Sequence, residues 1–156
     1  MSEAVSKPIF IYGVFRSLRV LAWVLTGDET ETFTVSRLIQ PAKIHGYENY
    51  AGADPDRPLV ARRSPSSSVD GYLFKPETES QREKLDEFLR RFSMPVTVLA
   101  TPIDDDGRSK DAVDADVYLS SGIITPEMRP WSLEIFESER VEDWLRWEKI
   151  KSDQGM

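Results

Sequence analysis

The hydrophobic pattern opens with Pro8-Ile9-Phe10-Ile11-Tyr12, a short run of β-branched and aromatic residues after a proline, which predicts a buried first strand. Gly13 breaks the run. Ser17 then stands where a helix cap belongs, and Leu18, Leu21, Ala22 and Leu25 recur at helical spacing until Gly27. The order is strand, glycine turn, helix. Gln40-Pro41 interrupts the next stretch; Ala42 to Tyr50 reads as an aromatic-rich strand, Gly52 to Pro58 as a turn, and Leu59-Val60-Ala61 as a short strand. Arg62 to Ser68, with its proline and four serines, reads as a hairpin loop before a strand at Val69 to Phe74.

Glu77 to Phe92 is amphipathic, with Leu85, Phe88, Leu89 and Phe92 on one stripe of a helix. Met94-Pro95 ends it, Val96 to Ala100 starts a strand, and Asp104-Asp105-Asp106-Gly107 turns the chain toward a strand at Ala115 to Leu119. Ser132 caps a last helix. Trp131 before it is placed to staple onto Phe136, and Leu133, Phe136, Val141, Trp144 and Leu145 supply the buried face. Strands and helices do not alternate regularly, so the expectation is an α+β fold with a curled sheet rather than a doubly wound parallel one. At 156 residues, one domain over 1–156 is expected, with no internal repeat.

Composition narrows the chemistry. No apolar stretch approaches the roughly 20 residues of a membrane helix, and Met1 to Val5 lacks the basic start and long apolar segment of a secretory signal; a cytoplasmic location without membrane contact is expected. The chain has no cysteine, which removes disulfides, thiolate nucleophiles and thiolate metal sites together. A formal net charge of -7 argues against a nucleic-acid partner. His45 is the one histidine, so a serine triad or a histidine-ligated metal would hang on that residue alone. Neither a metal nor a cofactor is expected.

The main chemical candidate is Tyr12-Gly13-Val14-Phe15-Arg16-Ser17, because a glycine turn between strand and helix leaves successive N–H groups able to hold an anion or oxyanion. It lacks the further glycines and the lysine of the phosphate-binding loops. Tyr47, Tyr50 and Tyr72 can line a cleft and donate hydrogen bonds, and His45 is a candidate replacement base, although aromatic strand residues and a lone histidine serve structure more often. The aspartate run at 104 to 106 lacks the ligand spacing of a calcium loop, and Arg62-Arg63-Ser64 is a kinase-like start within an ordinary solvated loop.

Six weak motifs in order carry more than any one alone: Phe10 to Val24, Ala42 to Gly46 with Tyr47, Val69-Asp70-Gly71, Leu85-Asp86-Glu87-Phe88, Ala115-Asp116-Val117-Tyr118, and Trp131 to Phe136. Together they resemble the gamma-glutamylcyclotransferase-like superfamily, in its plant avirulence-induced and fungal branch, over almost the whole chain. The resemblance implies a small mixed β-barrel with packed helices and a substrate loop after the first strand. It also implies a glutamate acting as general acid/base while an amine attacks a gamma-carbonyl to give 5-oxoproline or a related lactam. In that correspondence Tyr12 to Ser17 is the substrate loop. The family's Leu-Asp-x-Phe-Glu-Gly aligns with Leu85-Asp86-Glu87-Phe88-Leu89-Arg90, so Leu89 stands at the glutamate position. Leucine offers neither acid nor acceptor.

The expectation is therefore a cyclotransferase-like protein with a small-molecule substrate or ligand, whose usual acid is gone and whose chemistry has moved elsewhere, on an apolar or carbonyl-bearing substrate. Its pocket residues would be Tyr12, Gly13, Val14, Phe15, Arg16, Ser17, Tyr47, Tyr72 and Leu89, the last bordering the cavity and tolerant of a carboxylate. Two alternatives stand beside it: a non-catalytic ligand- or protein-binding module, and a cyclotransferase using a displaced acid, with Asp86, Glu87 and His45 as candidates.

Overall fold

A computed structural model describes residues 7–52, 58–91, 93–119, 125 and 127–153. Seven strands run β1 (Ile9–Ile11), β2 (Ile39–His45), β3 (Tyr47–Tyr50), β4 (Leu59–Arg62), β5 (Ser68–Phe74), β6 (Pro95–Pro102) and β7 (Val113–Tyr118). Five of them close into a barrel in the order β1-β5-β2-β6-β7, while β3 and β4 form a separate two-stranded sheet. β1 is the keystone. It pairs antiparallel with β5 (Ile9 opposite Phe74) and parallel with β7 (Phe10 opposite Val117), the other barrel pairs being antiparallel. A strand hydrogen-bonded on both edges with both faces covered must be apolar throughout, and Ile9, Phe10 and Ile11 are all buried. The fold is α+β, a small mixed barrel with packed helices, as the sequence leads one to expect.

The helices are α1 (Leu18–Thr26), α2 (Thr32–Ser36), α3 (Glu79–Leu89), α4 (Leu133–Ile135) and α5 (Val141–Asp153), the last two joined by a π-helical segment, Phe136–Arg140. Ser17 caps α1 by accepting from Val20 N–H, and Gly27 ends it in the left-handed region at φ 81°. Thr78 and Gln81 form a reciprocal capping box on α3. The Trp131 ring lies 6.0 Å from that of Phe136, the expected staple. No described helix is long and apolar enough to cross a membrane.

Three expectations are corrected. The strand expected at Ala42 to Tyr50 is two strands, because Gly46 turns the chain at φ 87° between β2 and β3. β2 also starts earlier and runs through Pro41, which lies opposite Tyr72 of β5, one position before the β6 pairing begins at Ala42. The Pro41 carbonyl still accepts from Ile103 N–H at 2.8 Å, so proline sits at a ladder end where its missing donor costs little. Arg62 to Ser68 is not a hairpin loop: β4 pairs with β3 and β5 with the barrel, so the segment crosses from one sheet to the other. Phe92, residues 53–57 of the expected turn, and Met1 to Val5 lie outside the described residues.

The stripe read on α3 divides between two partners. Leu85 and Leu89 join Ile9, Ile11, Leu21 and Leu25 in the core between barrel and helices. Phe88 turns to a second cluster with Val14, Val20, Phe136 and Trp144. There its ring meets Phe15 at 5.7 Å, Trp23 at 6.3 Å and Trp144 at 5.9 Å, a mostly edge-to-face set that locks α1, α3 and α5 together.

Candidate functional site

The Tyr12 to Ser17 loop follows β1 directly. Gly13, at φ 63°, starts a 3₁₀ turn over Gly13–Arg16, a conformation that favours glycine. A Cβ at this position would also lie 2.6 Å from Pro58 Cγ, so the loop is packed beneath the chain entering β4. The turn uses some of its own donors: Phe15 N–H bonds to Tyr12 C=O at 3.3 Å and Ser17 N–H to Val14 C=O at 3.0 Å. The expected row of open N–H groups is thus shorter than the sequence suggests. Tyr12, Gly13, Val14 and Ser17 are buried, while Phe15 and Arg16 are half-buried.

Leu89 adjoins this loop through the core rather than as an open pocket wall. It is 6% exposed, in the cluster against which Phe15 and Tyr72 also pack. Phe15, Tyr72 and Leu89 thus share one cluster. Tyr12 and Tyr47 belong to the other side of β1, in the barrel interior cluster with Phe10 and Val117. His45 is exposed at the end of β2, and Glu87 is exposed on α3 beside a different groove. Tyr50 is buried, its hydroxyl donating to Glu48 and accepting from Arg63 Nε at 2.6 Å.

Asp86 is bound on both oxygens. Oδ1 accepts from Tyr118 Oη at 2.8 Å and Oδ2 from Arg82 Nε at 2.9 Å. Arg82 continues to Asp116 Oδ2 at 2.7 Å, and Lys7 reaches Asp116 Oδ1 at 3.3 Å. At the other end Tyr12 Oη donates to Tyr118 C=O at 2.9 Å. This chain of bonds ties the loop, the end of β7 and α3 into one rigid edge, and it gives Asp86 a structural task. Burial raises the Tyr118 phenol above its ordinary value, and the bond to the Asp86 carboxylate raises it further.

Asp116 shows the opposite balance: burial alone would raise it, but the hydrogen bonds and charges of Arg82 and Lys7 prevail and hold it below the usual carboxylate range. A carboxyl lowered in the folded state contributes stability that is complete above its unfolded value of about 3.9 and is lost as pH falls through the lowered folded value. Melting curves from pH 7 to pH 2 are expected to fall on the acid side of pH 4, and Asp116→Asn to melt lower at pH 7 with a smaller acid-side loss. An unchanged acid limb in the variant would show that Asp116 does not carry this term.

Two residues that the sequence did not single out touch the site. Ser17 Oγ donates to Glu137 Oε2 at 3.3 Å, bringing a carboxylate from the π segment onto the loop. Nothing in the acidic run Glu134, Glu137, Glu139, Glu142 marks it out, because the π segment shifts the helical phase that a pattern reading assumes. Tyr118, the junction of the bonded edge, reads in sequence as one more core strand residue. The run at 104 to 106 serves a turn: Asp104 Oδ1 accepts from Asp106 N–H at 3.0 Å and Arg108 N–H at 2.9 Å. Among the described residues no three His, Asp or Glu side chains converge to hold a metal ion.

A surface groove of about 750 Å³ lies between α1, α3 and the end of α5, lined by Trp23, Lys84, Glu87, Phe88, Arg91 and Lys149 among others. No residue of the Tyr12–Ser17 loop lines it.

No family model and no curated protein matches the chain in sequence. Solved structures match the fold. The solution structure of At3g28950.1 from Arabidopsis thaliana has a TM-score of 0.57 at 20% identity, covering 98% of this chain and 88% of that one. The solution structure of At5g39720.1, also from Arabidopsis thaliana, has a TM-score of 0.55 at 18% identity, covering 99% and 94%. At such identities the likeness establishes the shared fold alone.

Proposed function

We propose that the chain is a gamma-glutamylcyclotransferase-like protein that takes a small molecule at the Tyr12–Ser17 loop and does not perform the family's standard lactam-forming reaction. The observation that carries this reading is the state of the acid/base position: Leu89 is apolar and packed among Leu85, Ile11 and Leu21. The neighbouring acids do not take over its task. Asp86 spends both oxygens on Tyr118 and Arg82, and Glu87 lies on the groove away from the loop. The glycine turn, the aromatic Phe15 beside it and the rigid Tyr12–Tyr118–Asp86 edge support a ligand site built more on shape and fixed dipoles than on a proton shuttle. A net charge of -7 supports a small-molecule partner over nucleic acid.

Incubation with gamma-glutamyl peptides and gamma-glutamyl amines is expected to release no 5-oxoproline above background, since loss of a general acid/base costs on the order of 10² to 10⁴ in rate. Native mass spectrometry of the same preparation tests whether a small molecule is held. Turnover of roughly 1 per second or faster would overturn the reading and point to a displaced acid, with Glu137, the carboxylate that reaches the loop, first to be replaced.

A further inference from the structure

Three buried side-chain atoms among the described residues have no hydrogen-bond partner: Arg16 Nε, Asn49 Oδ1 and Ser93 Oγ. Arg16 is the charged one. An unmatched buried N–H on a charged group is the most costly of the three to leave unpaired.

The contrast with other arginines is sharp. Arg19 is matched by Glu29 and Glu142, Arg82 by Asp86 and Asp116, and Arg91 by Glu148. The chain has 27 acidic residues against 20 basic ones, so a partner for Arg16 was easily supplied. The carboxylate that does arrive at the loop, Glu137, bonds to Ser17, the very next residue, and forms no ion pair with Arg16. An unsatisfied buried group of this kind requires an explanation, and Arg16 lies on the last turn of the Gly13–Arg16 loop.

We propose that Arg16 is the anion-holding residue of the loop site and that the natural ligand carries a carboxylate, received on the planar edge of the guanidinium as a two-point hydrogen bond. The inference rests on the ligand site proposed above. One guanidinium matches one singly charged planar group. A phosphate, with more charge to balance, would meet a loop without the further glycines and lysine of a phosphate site, on a protein of net charge -7. Ligand binding neutralises a cation that no acidic side chain among the described residues pairs.

The test uses 5-oxoproline and 3-phenylpropionic acid, each against its primary amide, with thermal melting at pH 7 and the Arg16 Nε–H signal in ¹⁵N NMR as readouts. At least one acid is expected to raise the midpoint by roughly 2–4 °C at saturation and to shift the Nε–H signal, with its amide doing neither. Arg16→Met is expected to lose the response to acid while melting no lower than the parent without ligand, because a buried N–H without a partner is gone. Should Arg16→Met fail to fold, Arg16→Lys decides: it keeps the charge but not the fork, and a response weakened by about tenfold supports the proposal. Equal responses to acid and amide would overturn the carboxylate assignment and leave the ligand site standing. Acid binding that survives in either folded variant at parental strength would overturn the role of Arg16. No response by the parent to any probe would overturn both.

Discussion

Gly71→Ala is expected to destabilise the fold by about 3 kcal/mol or more, a large share of the roughly 5–15 kcal/mol that holds a domain together. A Cβ at this position would lie 2.2 Å from the Ile11 carbonyl oxygen and 2.7 Å from Phe10 Cζ. Neither can yield cheaply. Ile11 is held in register opposite Tyr72, and Phe10 is 1% exposed in the barrel interior. The added methyl would push β1 away from β5 at the point where the barrel closes. Gly107→Ala is the control: φ there is 80°, but nothing lies within 4 Å of the new atom, so only the backbone cost of about 1–2 kcal/mol applies. Urea denaturation of both variants reads the difference. A Gly71→Ala midpoint at or above that of Gly107→Ala would show that β1 can shift freely, which would undo the account of barrel closure.

Leu89→Glu is the second large effect. The sequence alignment leads one to expect tolerance, with the new carboxylate facing a cavity; the packing of Leu89 predicts a loss of about 3–5 kcal/mol, similar to that of Leu85→Glu. The reason is that the buried members of its cluster have no spare donor: all but Tyr118 are aliphatic or Phe, and the hydroxyl of Tyr118 is already given to Asp86. A carboxylate placed at position 89 therefore unfolds the protein. Far-UV circular dichroism and melting of the two variants side by side check this. A Leu89→Glu protein that melts within about 1 kcal/mol of the parent while Leu85→Glu collapses would show that solvent reaches position 89 and would reinstate it as a pocket wall.

Much of the fold was legible because local signals and tertiary demands agree. The Ile9–Ile11 run, the Ser17 cap with Gly27 at the far end of α1, and the Trp131 staple each state in a few residues what the whole molecule needs. The misreadings fall where neighbours decide. Pro41 reads as a breaker until one sees that β6 does not pair alongside it. Thr32–Ser36, to which the pattern assigns no element, is a helix against α1 despite its β-branched residues, with Val35 fully buried. In the candidate site the loop was legible from Gly13, whose positive φ is a backbone requirement. The partners of Ser17 and Asp86 were not, because Glu137 and Tyr118 arrive from remote segments and carry no local mark. Arg16 was named as a loop member, but its solitude is a property of everything around it.

The parallel contact of β1 with β7 has a consequence for how the chain is made. β1 is synthesised well before β7, and one of its two edges stays unpaired until Val113–Tyr118 appears; the Tyr12 to Tyr118 bond alone spans 106 residues. Pairings so far apart are slow to form, since the entropy of closing the intervening chain must be lost first. Until then Ile9-Phe10-Ile11 presents an apolar strand with an open edge, the kind of segment that sticks to other nascent chains. The nascent protein thus carries an open apolar edge until β7 emerges, and a chaperone that shields the short hydrophobic strand Ile9–Ile11 would act on it at that stage.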